Sequence, residues 1–306
     1  MRNALRDALM QREILKENIY LIVGDIGFGV FEEYSKRFPN NYLNIGICEA
    51  NMIGFSSGMS MNGFVPIVYT IVPFLTMRPF EQIRVDLAMH NKQVILVGVG
   101  GGLAYGNLGP THHSFEDLSL MSVLPNFKVF APSQPSESEI ALNLAMEHDG
   151  PSYIRLGKNG EPDLSDFMID EQQGFKIYNH EIETSDVAIF TYGPITYDSI
   201  LCAKELLNQG VKASVVSFLE IKPINNEILE LCSKVKKIFL IEEHSKLQSP
   251  MTYLISLLVE NKIKTDIHHF GIEDKFTEKV GSRDFLLKYH NLDSKSLTKR
   301  IKFLHE

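Results

Sequence analysis

The chain has 306 residues, which is too long for one typical domain and sufficient for two. Hydrophobic residues make up 44% and charged residues 22%, as in folded globular proteins, so disordered and fibrous classes are excluded. A net charge of −8 argues against a nucleic-acid-binding surface. No apolar run reaches the about 18 residues that a membrane span needs, and the charged N-terminal segment does not resemble a signal peptide.

Three cysteines, Cys48, Cys202 and Cys232, are widely spaced along the chain. Their number is odd and their spacing matches no metal-binding pattern, so we interpret all three as buried, small apolar side chains. Free thiols are typical of a reducing compartment, and we therefore expect a cytoplasmic protein.

Short apolar runs alternate with segments of helical periodicity through the first half of the chain. We predict strands at 20–24, 42–46, 65–69, 93–99 and 127–132, and helices at 51–61, 79–89 and 136–147. Continuous apolar strands separated by helices are typical of a parallel sheet that is covered on both faces. The predicted fold class is therefore α/β.

The pattern is interrupted and then resumes. Residues 157–185 are rich in Gly, Pro and charge, with weak periodicity, and we interpret 161–185 as a linker. A second α/β series follows, with predicted strands at 186–192, 211–218, 236–243 and 264–271 and helices at 197–208 and 249–260. We therefore predict two domains, at 1–160 and 186–306, of which the second is the smaller.

Three turns of the first domain follow predicted strands and carry candidate functional residues. Open α/β sheets bind ligands beyond the carboxyl ends of their strands. The turns are GDIGFG (24–29), GICEAN (46–51) and GGGLAYGNLGPTHHS (100–114). In the second turn Glu49 opens a predicted helix, at the positive end of the helix dipole and among apolar neighbours. A carboxyl group in such a place can share a proton with a ring nitrogen.

Two adjacent histidines, His112 and His113, end the third turn. Neighbouring side chains point in different directions, so both cannot serve one site directly. The glycines before them allow close approach of the backbone to a ligand, which favours a functional histidine. These glycines do not form a dinucleotide fingerprint, because Leu103 stands where the third glycine of G-x-G-x-x-G belongs. We expect no metal site here, because no second metal ligand lies at a recognised spacing from either histidine.

Taken together, these segments resemble the transketolase family in order and spacing. The matching stretches are MRNAL…LIVGDI, NIGICEANMIGFSSGMSMNGFVP, FLTMRPFEQIR, GPTHHSFEDLSLMSVLPNFKVFAPS, DGPSYIRLGK, VVSFLEIKPIN and GSRDFLLKY. They run across essentially the whole chain and most closely resemble the C-terminal subunits of split, two-chain transketolases. The resemblance implies a pyrimidine-binding domain of the thiamine-diphosphate type and a smaller transketolase C-terminal α/β domain.

The resemblance also implies which residues bind the cofactor, thiamine diphosphate. Glu49 would bond the ring nitrogen of the aminopyrimidine and share its proton, so that the cofactor can be activated. Phe74 would stack on the same ring, and Asp25 would lie near it.

For the substrate, the resemblance implies a ketol transfer between sugars or sugar phosphates. His112 would stand beside the reacting carbons and transfer protons to and from substrate hydroxyls. Arg155 and Arg2 would bind the substrate phosphate, a task that suits the guanidinium group.

Four positions depart from the family pattern. Gly100 stands in place of a second histidine, and Leu108 in place of an aspartate that binds an acceptor hydroxyl. Gly29 replaces a serine of the phosphate site, and Met77 replaces an aromatic residue of the cofactor pocket. Loss of hydrogen-bonding groups changes substrate discrimination. We therefore expect a specialised transketolase, acting on a modified or nucleotide-linked sugar.

The metal-binding motif of this superfamily is missing from the chain. Gly24-Asp25 is followed by Ile26 instead of the glycine of a GDG motif. The resemblance therefore implies that an N-terminal partner subunit holds the Mg²⁺ ion and the diphosphate, in a heterodimer or a heterotetramer.

Three alternatives remain open. Two are enzymes, a deoxyxylulose-phosphate-synthase-like enzyme and the beta subunit of a 2-oxoacid dehydrogenase. The third is a non-catalytic regulatory subunit. The THHSFED segment and the arginine after the Tyr153-Ile154 pair favour transketolase over the first two. The presence of Glu49, Phe74 and His112 argues against the third.

Overall fold

Two sheets organise the computed structural model, which describes residues 1–14, 18–172 and 174–306. The strands are β1 (Ile19–Val23), β2 (Tyr42–Asn44), β3 (Val65–Ile71), β4 (Ile95–Val99), β5 (Lys128–Phe130), β6 (Ser152–Leu156), β7 (Met168–Gln172), β8 (Phe175–Tyr178), β9 (Val187–Tyr192), β10 (Ala213–Phe218), β11 (Glu220–Lys222), β12 (Lys237–Ser245) and β13 (Asp266–Ile272). The first sheet has the order β11-β5-β6-β4-β3-β1-β2, and the second has the order β13-β12-β9-β10-β8-β7.

Helices connect the strands. They are α1 (Arg2–Ile14), α2 (Glu32–Arg37), α3 (Glu49–Met61), α4 (Val72–Thr76), α5 (Phe80–Gln82), α6 (Asp117–Val123), α7 (Pro135–Met146), α8 (Thr196–Asn208), α9 (Asn226–Ser233), α10 (Pro250–Glu260), α11 (Arg283–Tyr289) and α12 (Ser294–His305). A π-helix, Ile83–Met89, continues α5, where the sequence predicts one regular helix over 79–89. The class predicted from the sequence, α/β with parallel strands, is confirmed.

Helices cover both faces of the first sheet. Leu21 of β1 packs in one cluster with Leu5 of α1 and Leu142 of α7, whereas the next residue, Ile22, packs with Met52 of α3 on the other face. Successive side chains of a strand point to opposite faces, so a strand that is buried on both sides needs a continuous apolar run. This requirement explains the apolar strand sequences of the first half.

The predicted linker at 161–185 differs from the structure. Residues 168–172 and 175–178 form the hairpin strands β7 and β8, and β8 pairs antiparallel with β10 in the second sheet. All four side chains of β8 are buried, but those of the edge strand β7 are mostly exposed. A mostly polar edge strand has no apolar periodicity, which is why the composition of this segment suggested a linker.

One strand crosses the predicted division into domains. β11 lies within 186–306 but adds to the first sheet, antiparallel to the edge strand β5. The other neighbouring strands of that sheet are parallel to each other. Their carboxyl ends therefore meet at one edge, and the loops after β1, β2, β3, β4 and β6 lie there together. Among the described residues, no helix is both long and apolar enough to cross a bilayer.

Candidate active site

Glu49 is held at the carboxyl edge by the start of a helix. It is the first residue of α3, follows the turn after β2, and is 5% exposed. Its carboxylate accepts hydrogen bonds from Nη1 of Arg78, at 3.0 Å to Oε1 and 3.2 Å to Oε2. The partial positive charge of the helix start and the arginine together stabilise the buried carboxylate.

Phe74 lies across from Glu49 on the short helix α4, which directly follows β3. Its half-buried ring carries the guanidinium of Arg78 above it, with Cζ 4.2 Å from the ring centroid. The ring of His112 approaches Phe74 edge-on, with the centroids 5.1 Å apart and the planes at 74°. The guanidinium of Arg78 therefore lies between the carboxylate of Glu49 and the ring of Phe74, and the imidazole of His112 packs against the same ring.

His112 lies in the loop between β4 and α6. The backbone oxygen of Gly109 accepts hydrogen bonds from the amides of His112 and His113 and so forms a turn in this loop. Nδ1 of His112 lies 2.9 Å from Oγ1 of Thr111. Burial, and secondly the positive charge of Arg78, lower the pKa of His112 below its ordinary value of 6.5. The imidazole is therefore neutral at pH 7 and can accept a proton.

His113 points away from this group, as expected for adjacent side chains. It is 4% exposed and packs against Phe115, at 5.7 Å between the ring centroids. Burial lowers the pKa of His113 as well. Only the first of the two histidines thus faces Phe74.

Asp25 stands at the same edge, after β1. Its backbone amide donates to Oδ1 of Asn44 at 3.0 Å, and the Nδ2 group of Asn44 lies 3.3 Å from Oδ1 of Asp25. Oδ1 of Asn44 also accepts a hydrogen bond from the amide of Gly46. Asn44 therefore ties the loop that carries Asp25 to the turn that precedes Glu49. Sequence reasoning did not identify this residue.

Two cations stand near Tyr105, and one of them, Arg2, was predicted as a substrate ligand. Burial raises the pKa of Tyr105, and Arg2 lies near enough for its positive charge to oppose this rise. Lys158 places Nζ 4.9 Å from the ring centroid of the same tyrosine, whose ring lies 6.2 Å from that of His112. Lys158 was missed, although its place two residues after β6 puts it at the carboxyl edge.

Arg155 differs from its predicted role as a phosphate ligand. It is 3% exposed, and its Nη2 group donates to the backbone oxygens of Ser114 and Glu243, each at 3.0 Å. Nε lies 3.2 Å from Oδ2 of Asp117, a side chain that is fully buried. A buried charge requires such partners, and here they all belong to the core. The structure therefore separates Arg155 from the Glu49, Phe74 and His112 group.

The cysteine prediction holds for two residues of three. Cys202 and Cys232 are buried free thiols, and burial raises the pKa of each to about 12. Cys48 is half-buried and free, so its prediction as a buried side chain is wrong. It lies in the tight turn before α3, and its Sγ atom is 3.0 Å from the backbone oxygen of Ile45.

Comparison with known families agrees with this arrangement of sheet and turns. The model of the transketolase pyrimidine-binding domain matches residues 1–161, and that of the transketolase C-terminal domain matches residues 178–297. The chain belongs to the transketolase family.

Individual members of the transketolase family are similar over most of the chain. A subunit of the apulose-4-phosphate transketolase of Actinobacillus succinogenes is 28% identical over 269 residues, which cover 86% of this chain and 85% of that protein. A structure titled split gene transketolase, inactive beta4 tetramer, has a TM-score of 0.85 at 28% identity and covers 98% and 96% of the two chains. The 1-deoxy-D-xylulose-5-phosphate synthase of Clostridium acetobutylicum is also 28% identical, over 88% of this chain but 43% of its own length.

The glycine run of this transketolase-family chain packs against protein side chains. A Cβ atom on Gly100 would lie 2.0 Å from the Tyr105 ring, on Gly101 2.2 Å from Arg155, and on Gly102 2.6 Å from Glu243. Gly100 also has a φ of +84°, which favours glycine. The glycines therefore allow close packing of three side chains, and not the approach of a ligand to the backbone that the sequence suggested.

The other three residues that depart from the transketolase pattern are exposed at the carboxyl edge of the first sheet. Leu108 is 54% and Met77 37% exposed. No atom lies within 4 Å of the position that a Cβ on Gly29 would take, and the amide of Gly29 donates to Oε1 of Glu32 at 2.6 Å. In the described part of the chain, no group of three or more His, Cys, Asp or Glu residues could hold a metal ion. That a partner holds Mg²⁺ stays a prediction.

Proposed function

We propose that this chain is the C-terminal subunit of a two-chain, thiamine-diphosphate-dependent transketolase. It would transfer a two-carbon ketol unit from a ketose or ketose phosphate to an aldose or modified-sugar acceptor. The observation that carries the proposal is the series of contacts that joins Glu49, Phe74 and His112, with Arg78 between the first two, at the carboxyl edge of the first sheet. Family membership supports it.

The residues present fit the pyrimidine half of the cofactor. The guanidinium of Arg78, a planar cation with N–H donors, already occupies the volume between the Glu49 carboxylate and the Phe74 ring. A planar aminopyrimidine can likewise stack on the Phe74 ring and bond the same carboxylate. Glu49 would hold a proton at the ring nitrogen, Phe74 would orient the ring by stacking, and Asp25 would lie beside them. Thiamine diphosphate, when bound, supplies the carbanion chemistry that ketol transfer needs.

Proton transfer to and from the substrate falls to His112. Its lowered pKa keeps the imidazole neutral at pH 7, so it can accept a proton from a substrate hydroxyl. Arg2 and Lys158, which both stand near Tyr105, would bind an anionic group of the sugar. Arg155 is left out of this role because its guanidinium is bound within the core.

The substrate pocket supports a specialised sugar. Tyr105 fills the space that a side chain at position 100 would need, and Leu108 places an exposed apolar group near the histidine loop. These two positions replace polar groups of the family pattern, and a site built without them discriminates differently among sugars. One relative is named for apulose 4-phosphate, and we propose that this enzyme acts on a modified sugar or sugar phosphate and not on the pair xylulose 5-phosphate and ribose 5-phosphate.

A second chain would complete the site. Two relatives are named as subunits of an apulose-4-phosphate transketolase, and a similar structure is titled an inactive beta4 tetramer of a split gene transketolase. We propose that the partner contributes the diphosphate and Mg²⁺ sites, so that the isolated chain is inactive. Tight binding of thiamine diphosphate with Mg²⁺ and turnover by the purified chain alone would contradict this architecture.

The decisive experiment reconstitutes the two subunits and measures ketol transfer. Glu49→Gln should lower kcat by about 10²-fold or more, the contribution expected of a positioned acid–base group. Glu260→Gln, an exposed glutamate at the end of α10, serves as the control and should leave kcat unchanged. Full activity of the Glu49→Gln complex would exclude a catalytic role of this site and would favour a regulatory subunit.

A second candidate, a deoxyxylulose-phosphate-synthase-like activity, rests on the 28% identity to that enzyme. The two activities differ in the donor, because only a decarboxylating enzyme releases carbon dioxide from pyruvate. Turnover of pyruvate with release of carbon dioxide by the reconstituted pair would favour this candidate. Turnover of ketose phosphates without carbon dioxide favours the transketolase.

A further inference from the structure

Arg78 occupies the volume that the proposed function assigns to the aminopyrimidine ring. Its Nη1 group lies 3.0 Å and 3.2 Å from the two carboxylate oxygens of Glu49, and its Cζ atom lies 4.2 Å from the centroid of the Phe74 ring. One guanidinium therefore satisfies the acid and the aromatic face together. Neither contact can persist if a second planar group binds between Glu49 and Phe74.

The two partners of the ion pair differ strongly in exposure. The side chain of Glu49 is 5% exposed and that of Arg78 is 50% exposed. Arg78 lies between α4 and α5, so its side chain can rotate into solvent without movement of either helix. Glu49 cannot leave in the same way, and its carboxylate needs a partner while it is buried. The arginine is therefore the displaceable member of the pair.

We propose that Arg78 occupies the binding site of the aminopyrimidine ring in the unloaded subunit. There it pairs with Glu49, and the aminopyrimidine displaces it when the cofactor binds. This inference rests on the proposed function. The guanidinium is planar, donates several hydrogen bonds and stacks on aromatic rings, as an aminopyrimidine does. Arg78 keeps the buried carboxylate paired before loading, and it competes with the cofactor for the same two contacts.

Competition between Arg78 and the cofactor predicts the direction in which loss of Arg78 changes the affinity for the cofactor. Removing the guanidinium removes contacts that the cofactor would have to break, so the affinity for the cofactor rises. A partly exposed ion pair and a cation–aromatic contact together correspond to a gain of about threefold to thirtyfold. Salt screens the ion pair, so the gain is smaller at high ionic strength. If Arg78 instead positioned Glu49 in the loaded enzyme, its removal would lower the affinity for the cofactor.

The first test is calorimetric titration of thiamine diphosphate, with Mg²⁺, into the reconstituted two-subunit complex. Arg78→Met should bind about threefold to thirtyfold more tightly than the unchanged complex. Arg78→Lys, which keeps the charge but not the planar group, should lie between them. Arg37→Met is the control, since Arg37 is an exposed arginine with Cζ 5.5 Å from the Phe38 ring centroid, and its affinity should equal that of the unchanged complex.

An Arg78→Met complex that binds the cofactor equally well or more weakly overturns the proposal while leaving the proposed function intact. Failure of every complex to bind thiamine diphosphate overturns both. A fold defect is separated from a loss of competition by Arg78→Lys, since a misfolded site would weaken binding in both variants.

The second test needs no partner and no catalysis. The isolated subunit is titrated with 4-amino-5-hydroxymethyl-2-methylpyrimidine, which carries the ring without the diphosphate, and the Arg78 side-chain N–H and His112 ring signals are followed by NMR. Binding should shift both sets of signals in the unchanged chain, and Arg78→Met should bind the probe more tightly. Binding that leaves the Arg78 signal unchanged, or no binding to Arg78→Met, would overturn the proposal.

Discussion

At the scale of single residues, the contact between Gly100 and Tyr105 has the clearest consequence. A Cβ atom at position 100 would lie 2.0 Å from Cε2 of Tyr105, and the backbone there has a φ of +84°. Two separate costs therefore oppose any side chain at this position, a backbone strain and a steric overlap. The overlap is also the reason why Tyr105 can stand beside His112 only when position 100 is glycine.

Gly100→Ala is expected to lower the free energy of unfolding by about 2–4 kcal/mol, since both costs apply. Gly160→Ala is the matched control, because its φ of +80° is similar and no atom lies within 4 Å of the added Cβ. The control should lose only about 1 kcal/mol. Urea unfolding measures both, and Tyr105→Ala should restore part of the stability of Gly100→Ala. Equal losses in the two alanine variants would contradict the steric explanation.

At the scale of secondary-structure elements, Arg155 joins three of them. It extends from β6, pairs with Asp117 in the first turn of α6, and donates to the backbone of Glu243 in β12. Oε1 of Glu243 accepts a hydrogen bond from the amide of Leu103 at 2.6 Å. Ser114 and Tyr153 donate to the two oxygens of Asp117, at 3.0 Å and 2.7 Å. This network holds the loop that carries His112 against both sheets.

Arg155→Met should therefore affect stability more than substrate binding. Removal of one partner leaves the buried Asp117 uncompensated, and the expected loss is about 3–5 kcal/mol in the free energy of unfolding. Thermal unfolding of the subunit measures the loss, and the KM of a phosphorylated donor in the reconstituted complex tests the binding role. If Arg155→Met does not fold, Arg155→Lys provides the KM. A raised KM without loss of stability would restore the role predicted from the sequence.

At the scale of the whole molecule, exposed apolar side chains stand on the loops of the carboxyl edge. Phe28, Ile47 and Leu108, in the loops after β1, β2 and β4, are 76%, 71% and 54% exposed. We predict that these side chains form part of the contact with the proposed partner, since apolar surface beside a binding site is a common feature of protein interfaces. This is the edge at which the proposed partner would complete the cofactor site.

Phe28→Ser should weaken association with the proposed partner about tenfold to a hundredfold, the range expected when one phenylalanine is no longer buried. Phe303→Ser provides the control, because Phe303 on α12 is 78% exposed and lies in the other half of the chain. Sedimentation of mixed subunits measures both dissociation constants. Equal values for the two variants would place the partner elsewhere on the surface.

Local patterns account for what could be predicted and for what was missed. β4 and β9 are fully buried and wholly apolar or nearly so, and the sequence locates them to within two residues. The edge strand β7 has mostly exposed side chains, and no local periodicity separates such a strand from a linker. β11 could not be assigned to the first sheet because pairing between distant strands leaves no mark in either segment.

The sequence by itself determined the α/β class and the place of Glu49 and His112 in turns after predicted strands, and the family resemblance added Phe74. Periodicity encodes these features, and parallel pairing brings the strand ends to one edge. Only the tertiary structure decided which charges meet. Arg78 pairs with a carboxylate 29 residues away, and Arg155 binds the backbone of a residue 88 residues away. Ion pairs depend on distance in space and on burial, and neither is encoded in the spacing of residues along the chain.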